Sequence, residues 1–283
     1  MFAQLVNLFK LRIGLLIAIT ALAGYAITPG NVLTGWEILL LGLCVFFSSA
    51  SAGAFNQYVE RDLDARMART QNRPFVTGFF RHHKGWLFSI FALFAISVAA
   101  AAWLFNPLSA FYVFLGAFVY AVIYTVWLKR RSVWNIVIGG LAGSFAVLAG
   151  AAAADPGLNA ASFILAGVLF LWTPSHFWSL AIALHRDYAA AGIPMLPVVV
   201  GDKAAARIIL MNTFVMVVLS ILPVFYGMGM IYLFSALTGG GWFLYRNIQL
   251  VRRPERKCAM ANFFASMLQL AVLLAGAVLD VSL

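Results

Sequence analysis

Three oxygen-bearing side chains recur at intervals of four in an otherwise apolar chain: Asn56, Glu60 and Asp64. On a helix this spacing sets them in a row along one face. Two carboxylates and an amide oxygen in line suit a hard cation such as Mg²⁺, which takes one or two carboxylates and completes its shell with phosphate oxygens and water. The row belongs to the stretch NQYVERDLDARMARTQNRP, residues 56–74, which also holds Asp62 on the opposite face and Arg61, Arg66, Arg69 and Arg73. Arginines just beyond such a ladder offer planar forks for a phosphate. Asp62 is expected to pair with Arg61, Arg66 or Arg69. The alternative is a solvated loop whose charges neutralise one another.

Two further polar groups interrupt apolar sequence. In WTPSHFWSLAIALHRDYAAAGIPMLPVVVGDK, residues 172–203, Asp187 is the only acid between Asp155 and Asp202. It offers a carboxylate to a second Mg²⁺, although the position four residues on is Ala191; a salt bridge to Arg186 or another loop arginine is the competing use. His176 lies within the apolar part of that stretch, where an ionisable side chain is either functional or a hydrogen-bonded core histidine. In YTVWLKRR, residues 124–131, Lys129 and Arg130 can clamp a diphosphate with Tyr124 deeper in the bundle. The same run also fits a basic anchor at a membrane edge. No pair of histidines has the H-E-x-x-H spacing of a zinc hydrolase.

The elements that must position these groups are membrane helices. Of 283 residues 64% are hydrophobic and 10% charged, with a mean hydropathy of +0.95, against roughly 25% charged in soluble domains. This composition predicts an all-α polytopic membrane protein. Apolar segments at about 9–28, 36–58, 86–105, 109–128, 134–154, 162–184, 207–227, 229–246 and 260–280 give about nine spans of roughly 20 residues. All 19 lysines and arginines then fall on one side of the membrane. The positive-inside rule makes that side cytoplasmic, with the N-terminus in and the C-terminus out. The net charge of +10 is thus topology with room for an anionic ligand, and it calls for no nucleic acid. Cys44 and Cys258, one in an apolar segment and one in a basic loop, form neither a disulfide framework nor a zinc site. Ala21–Ala23 resembles a signal-cleavage site, but the apolar run is long and the rest of the chain is membrane too, so the segment is expected to be retained. No transit-peptide character precedes it, which favours a bacterial plasma membrane.

Both the second and the sixth segments run into long charged loops. This suggests one domain, 1–283, built as a pseudo-repeat of two four-helix units, about 9–128 and 134–246, with a last helix at 260–280. Repeats of this kind place binding sites between them.

The pattern N-x-x-x-E-R-D-L-D-x-x-M-x-R-T-x-x-R-P resembles the first aspartate-rich motif of the UbiA superfamily of intramembrane prenyltransferases, and within it the protohaem IX farnesyltransferases. YTVWLKRRSVWNIVIGGLAG, LWTPSHFW and DYAAAGIPMLPVVVG are similar to the same family in order and spacing, over roughly residues 10–210. The chain departs from the family pattern at four places. Glu60 stands for an aspartate, Lys10-Leu11-Arg12 for K-P-R, Ala146–Val147 for a proline pair, and His185-Arg186 blurs the basic residue before the second motif.

The resemblance implies a UbiA-type bundle around a central cavity, open to farnesyl diphosphate at its cytoplasmic end. Asn56, Glu60, Asp64 and Asp187 would hold Mg²⁺ on the diphosphate, and Arg69, Arg73, Tyr124, Lys129 and Arg130 would bind the diphosphate itself. The acceptor would be haem b, a substrate rather than a cofactor, whose vinyl group gains farnesyl and water to give haem O; His176 is the candidate for contacting it. Haem A synthase and terminal-oxidase assembly factors are the implied partners, beside the lipid bilayer. An aromatic quinone precursor is the rival acceptor, against which R-T-x-x-R-P and T-P-x-H-F-W argue. A secondary transporter would place its charges at mid-membrane depth, whereas here the acids gather at one face.

Overall fold

The computed structural model describes residues 1–283, and the chain is helical almost throughout. In order, the helices are α1 (Phe2–Leu8), α2 (Leu11–Ala26), α3 (Gly35–Val59), the single turns α4 (Arg61–Asp64) and α5 (Pro74–Thr77), α6 (Gly85–Leu104), α7 (Pro107–Phe118), α8 (Asn135–Ala154), α9 (Ala160–Ala183), the short α10 (His185–Ala190) and α11 (Leu196–Val200), α12 (Asp202–Ile221), α13 (Met230–Arg252) and α14 (Arg256–Ser282). A π-helical segment, Val119–Leu128, continues α7, and a 3₁₀ turn, Leu222–Tyr226, ends α12. Caps written in the sequence start several of them. In T-G-W-E, Thr34 Oγ1 accepts from Glu37 N–H while Glu37 Oε2 accepts from Thr34 N–H, a capping box at the head of α3. Asn106 accepts from Ser109 N–H at 2.8 Å, with Pro107 in the first turn of α7 where its missing N–H costs nothing.

Seven helices are long and apolar enough to cross a membrane, eight if the bent pair α1–α2 counts as one span. That count stands beside the expectation of about nine spans, and each of the nine expected segments is helical. The segment read at 229–246 is the helix α13, which is not among the seven because Arg246, Asn247, Gln249 and three glycines in a row lower its mean hydropathy. The first expected segment, 9–28, is the continuous α2; the short α1 precedes it and meets it at 53°, with Lys10 between them in the left-handed region at φ 49°, ψ 42°. Outward faces carry exposed Phe88, Trp103, Phe214, Phe234 and Phe264, as helices facing lipid must, since burial there is against hydrocarbon.

Helices α2, α3, α6 and α7 pack in sequence on one another, as do α8, α9, α12, α13 and α14, and α8 joins the two groups by packing on both α2 and α7. The contact of α2 with α8 runs through small residues. A Cβ at Gly150 would lie 1.7 Å from Ala21 O, and one at Gly24 would lie 2.2 Å from Val147 O. The backbones therefore touch there, the close approach by which membrane helices gain packing without a hydrophobic drive. It holds α2, with Lys10 at its head, against α8, which also packs on the π-helical segment.

Candidate active site

The ladder survives a break in its helix. α3 ends at Val59, Glu60 caps it at φ −93°, ψ 14°, and α4 begins at Arg61. Helical hydrogen bonds still cross the junction: Glu60 N–H donates to Asn56 O at 2.9 Å and Asp64 N–H to Glu60 O at 2.8 Å. The spacing of four thus keeps its helical register across the break at Glu60. All three side chains are buried, with exposures of 1% for Asn56, 0% for Glu60 and 3% for Asp64. Buried carboxylates require partners, and each rung has one cation. Lys10 Nζ donates to Asn56 Oδ1 at 2.6 Å and to the Tyr120 hydroxyl at 2.9 Å. Lys129 Nζ donates to Glu60 Oε2 at 2.5 Å. Arg73 Nη1 reaches both Asp64 oxygens, at 2.7 and 2.6 Å.

The π-helical segment lines the other side. Lys129 N–H donates to Tyr124 O, five residues back, at 2.9 Å, and the wider turn stacks Tyr120 on Tyr124 with centroids 5.5 Å apart. The Lys10 and Lys129 ammonium groups lie 5.5 Å and 5.6 Å from those two rings, respectively, within cation–π reach. Asn56 Nδ2 donates to Thr125 Oγ1 at 3.0 Å, which fixes the amide so that its oxygen faces Lys10. Wide turns of this type concentrate at functional sites. Glu60 Oε1 is buried without a partner.

Asp62 pairs with none of its expected neighbours. Arg130 takes it in a two-point fork, 2.8 Å at each oxygen, across an exposed surface, because Asp62 and the 129–134 loop face each other once the helices pack. Arg130 holds that carboxyl below its ordinary range. Arg130 is therefore engaged outside the ladder, and Arg69 is exposed without an ion pair. At Asp64 burial pushes the carboxyl above its ordinary value, and the Arg73 guanidinium opposes that.

Asp187 stands apart from the ladder, half-buried on α10 without an ion pair. It lines a cleft of about 530 Å³ with Arg186, Arg256, His185, Ala68 and the end of α9. Ala68 belongs to the loop between Asp64 and Arg73, so the cleft adjoins that loop. No three His, Cys, Asp or Glu side chains converge to hold an ion by themselves; any shared ion would need oxygens from a ligand to complete its shell. His185 Nδ1 lies 2.8 Å from Asp202 Oδ1. His176 is buried between Trp172 and Phe263, away from any acid, with Nδ1 2.7 Å from Ser266 Oγ.

Lys10, Tyr120 and Thr125 belong to the site although sequence reasoning assigned them no role. Lys10 looked like the remnant of a motif, and its separation from Asn56 hides a contact made only when α2 folds back on α3. Tyr120 had a signal, the spacing Y-x-x-x-Y-T of residues 120–125.

A family profile described as "UbiA prenyltransferase family" matches residues 17–268. A protein of Paramagnetospirillum magneticum named "Protoheme IX farnesyltransferase 2" is 57% identical over 276 residues, which cover 98% of this chain and 96% of that one. Among solved structures, one concerning digeranylgeranylglyceryl phosphate synthase superposes with a TM-score of 0.81 at 17% identity, covering 99% of this chain and 98% of that one. A UbiA homologue from Archaeoglobus fulgidus bound to DMAPP and Mg²⁺ superposes with a TM-score of 0.72 at 17% identity, covering 95% and 99%.

Proposed function

Since the chain belongs to the UbiA prenyltransferase family, we propose that it transfers farnesyl from farnesyl diphosphate to a vinyl group of protohaem IX, with addition of water, to give haem O. The observation that carries this reading is the ladder: three buried oxygen-bearing side chains at one end of an apolar bundle, each answered by a cation. The likeness to a protein named protoheme IX farnesyltransferase supports haem as acceptor and the bacterial plasma membrane as location. The positive-inside pattern supports a cytoplasmic orientation for the charged end.

The chain's own groups suit the reaction. Lys129 uses one of its three donors on Glu60, and Arg73 uses only Nη1 on Asp64. The remaining N–H groups are available to diphosphate oxygens. Cleavage of the allylic C–O bond leaves its electron pair on the diphosphate, so cations fixed in advance at that end lower the barrier. Mg²⁺ fits the residues present, because the orphaned Glu60 Oε1 lacks a cation. Glu60, Asp64 and Asn56, with Asp187 from α10, would hold it together with phosphate oxygens. When bound, it would neutralise charge on the leaving diphosphate.

The farnesyl chain would lie among apolar helices, where bulk water is kept from the allylic cation. The terminal vinyl carbon then forms a bond to the farnesyl carbon that carried the diphosphate. Water adds to the inner vinyl carbon and loses a proton, leaving a hydroxyl group there. No strong base is needed, in keeping with a site that has no nucleophile–base pair. The test is incubation of the purified protein in detergent with haem b, farnesyl diphosphate and Mg²⁺, followed by mass spectrometry of the pigment with and without EDTA. A mass gain of farnesyl plus water, lost with EDTA, is expected. Unchanged haem from folded protein would overturn the acceptor and turn attention to aromatic quinone precursors.

A further inference from the structure

We propose that Lys10 and Tyr120 bind the phosphate that carries the prenyl chain and take up the charge that collects on its ester oxygen as the allylic bond breaks; the proposal rests on the reading that the donor is a prenyl diphosphate. The charges along the ladder do not balance at every rung. Lys129 faces Glu60 and Arg73 faces Asp64, each a cation against a carboxylate. Lys10 meets only neutral groups, the amide oxygen of Asn56 and the hydroxyl of Tyr120, and forms no ion pair. An ammonium withdrawn from water without a counter-ion is costly, and an anionic ligand removes that cost. Donor counting points the same way. An ammonium has three N–H groups and no lone pair. Lys10 spends two of them, on Asn56 Oδ1 at 2.6 Å and on the Tyr120 oxygen at 2.9 Å, and one stays free. The phenol oxygen is the acceptor in that bond, so its own hydrogen is a second unused donor beside the first.

Depth selects the phosphate. α3 runs toward the charged end, so Asn56 lies about one turn, roughly 6 Å, further inside the bundle than Glu60. The Lys10 stem lies deeper still, beside Gly53, where a Cβ would come within 3.3 Å of Lys10 Cβ and Cδ. On the π-helical segment Tyr120 stands at the inner end and Lys129 just beyond the outer one. Glu60 with Lys129 and Asp64 with Arg73 therefore make the outer levels, and Lys10 with Asn56 and Tyr120 the inner one. A prenyl diphosphate whose tail lies among the apolar helices sets its terminal phosphate at the outer levels and its chain-bearing phosphate at the inner one. When the C–O bond breaks, its electron pair stays on the oxygen of that inner phosphate. Hydrogen bonds from Lys10 and Tyr120, fixed beforehand, stabilise the charge there, and no proton has to be transferred.

The test titrates the purified protein, in detergent with Mg²⁺, with farnesyl diphosphate and with farnesyl monophosphate, which has only the chain-bearing phosphate. Wild type is expected to bind both. Lys10→Met should weaken both by about 10- to 100-fold, and Tyr120→Phe, which keeps the ring, both by about three- to tenfold. Because Lys10 neutralises no acid, Lys10→Met should unfold within a few degrees of wild type, which separates lost binding from lost structure. Wild-type affinity for the monophosphate in folded Lys10→Met overturns the proposal. So does a wild type that binds the diphosphate and not the monophosphate. If Lys10→Met does not fold, Tyr120→Phe decides by the same comparison. A wild type that binds neither ligand overturns the prenyl diphosphate reading together with the proposal.

Discussion

Lys129 and Glu60 come from elements 69 residues apart, yet the ammonium sits 2.5 Å from Oε2 while the second carboxylate oxygen has no partner. The pair is buried on the acid side and nearly so on the lysine side, with side-chain exposures of 0% and 15%. A half-satisfied carboxylate in that position is costly for folding and suited to receiving another cation.

Glu60→Gln should therefore lower kcat by about 10²- to 10³-fold while the protein remains folded. Lys129→Met alone leaves the carboxylate buried without its cation and should cost about 3–5 kcal/mol of stability. The double substitution should recover most of that stability and none of the activity. Thermal unfolding in detergent beside the product assay checks both halves.

Asp64 gives a pH prediction. Its carboxyl titrates above the ordinary value because of burial, so the carboxylate form is lost on acidification sooner than from a solvated aspartate, whose pKa is about 3.9. The acid limb of kcat/KM should lie above that value. The stability sign is opposite: a raised folded pKa contributes stability below the unfolded pKa, and this is lost as pH rises through the folded one. Subtracting the unfolding profile of Asp64→Asn from that of wild type should show Asp64 favouring the fold in acid while activity falls.

Asp187 and Asp62 should separate cleanly. Neither is buried, so Asn at either position should change stability by no more than about 0.5 kcal/mol. Asp187→Asn should abolish most turnover, since it removes a proposed ion-binding oxygen. Asp62→Asn breaks only the exposed fork with Arg130 and should leave kcat within a few-fold of wild type. Equal losses in the two variants would remove Asp187 from the site.

Gly150→Ala tests the junction of the two helix groups. Its methyl would meet Ala21 O at 1.7 Å, backbone that cannot rotate away. α2 and α8 must part, at a cost of about 1–3 kcal/mol or more. A lowered unfolding temperature is expected, with weaker farnesyl diphosphate binding because Lys10 rides on α2.

Much of the molecule was legible in the sequence for local reasons. Hydropathy marked the apolar segments, and a spacing of four kept Asn56, Glu60 and Asp64 in register even through the break at Glu60. These depend on neighbours within one or two turns. The pairings depended on how helices cross, which one-dimensional spacing does not encode. Asp62 found Arg130 rather than the arginines of its own loop, and Lys10 reached Asn56 only because a left-handed residue turned the chain at the head of α2. The contact of His176 with Ser266 likewise required α14 to reach α9. Sequence determined which residues were polar in an apolar setting and how they were phased along each helix. Tertiary structure decided which charge neutralises which, because desolvated ions take whatever partner the packing brings within reach.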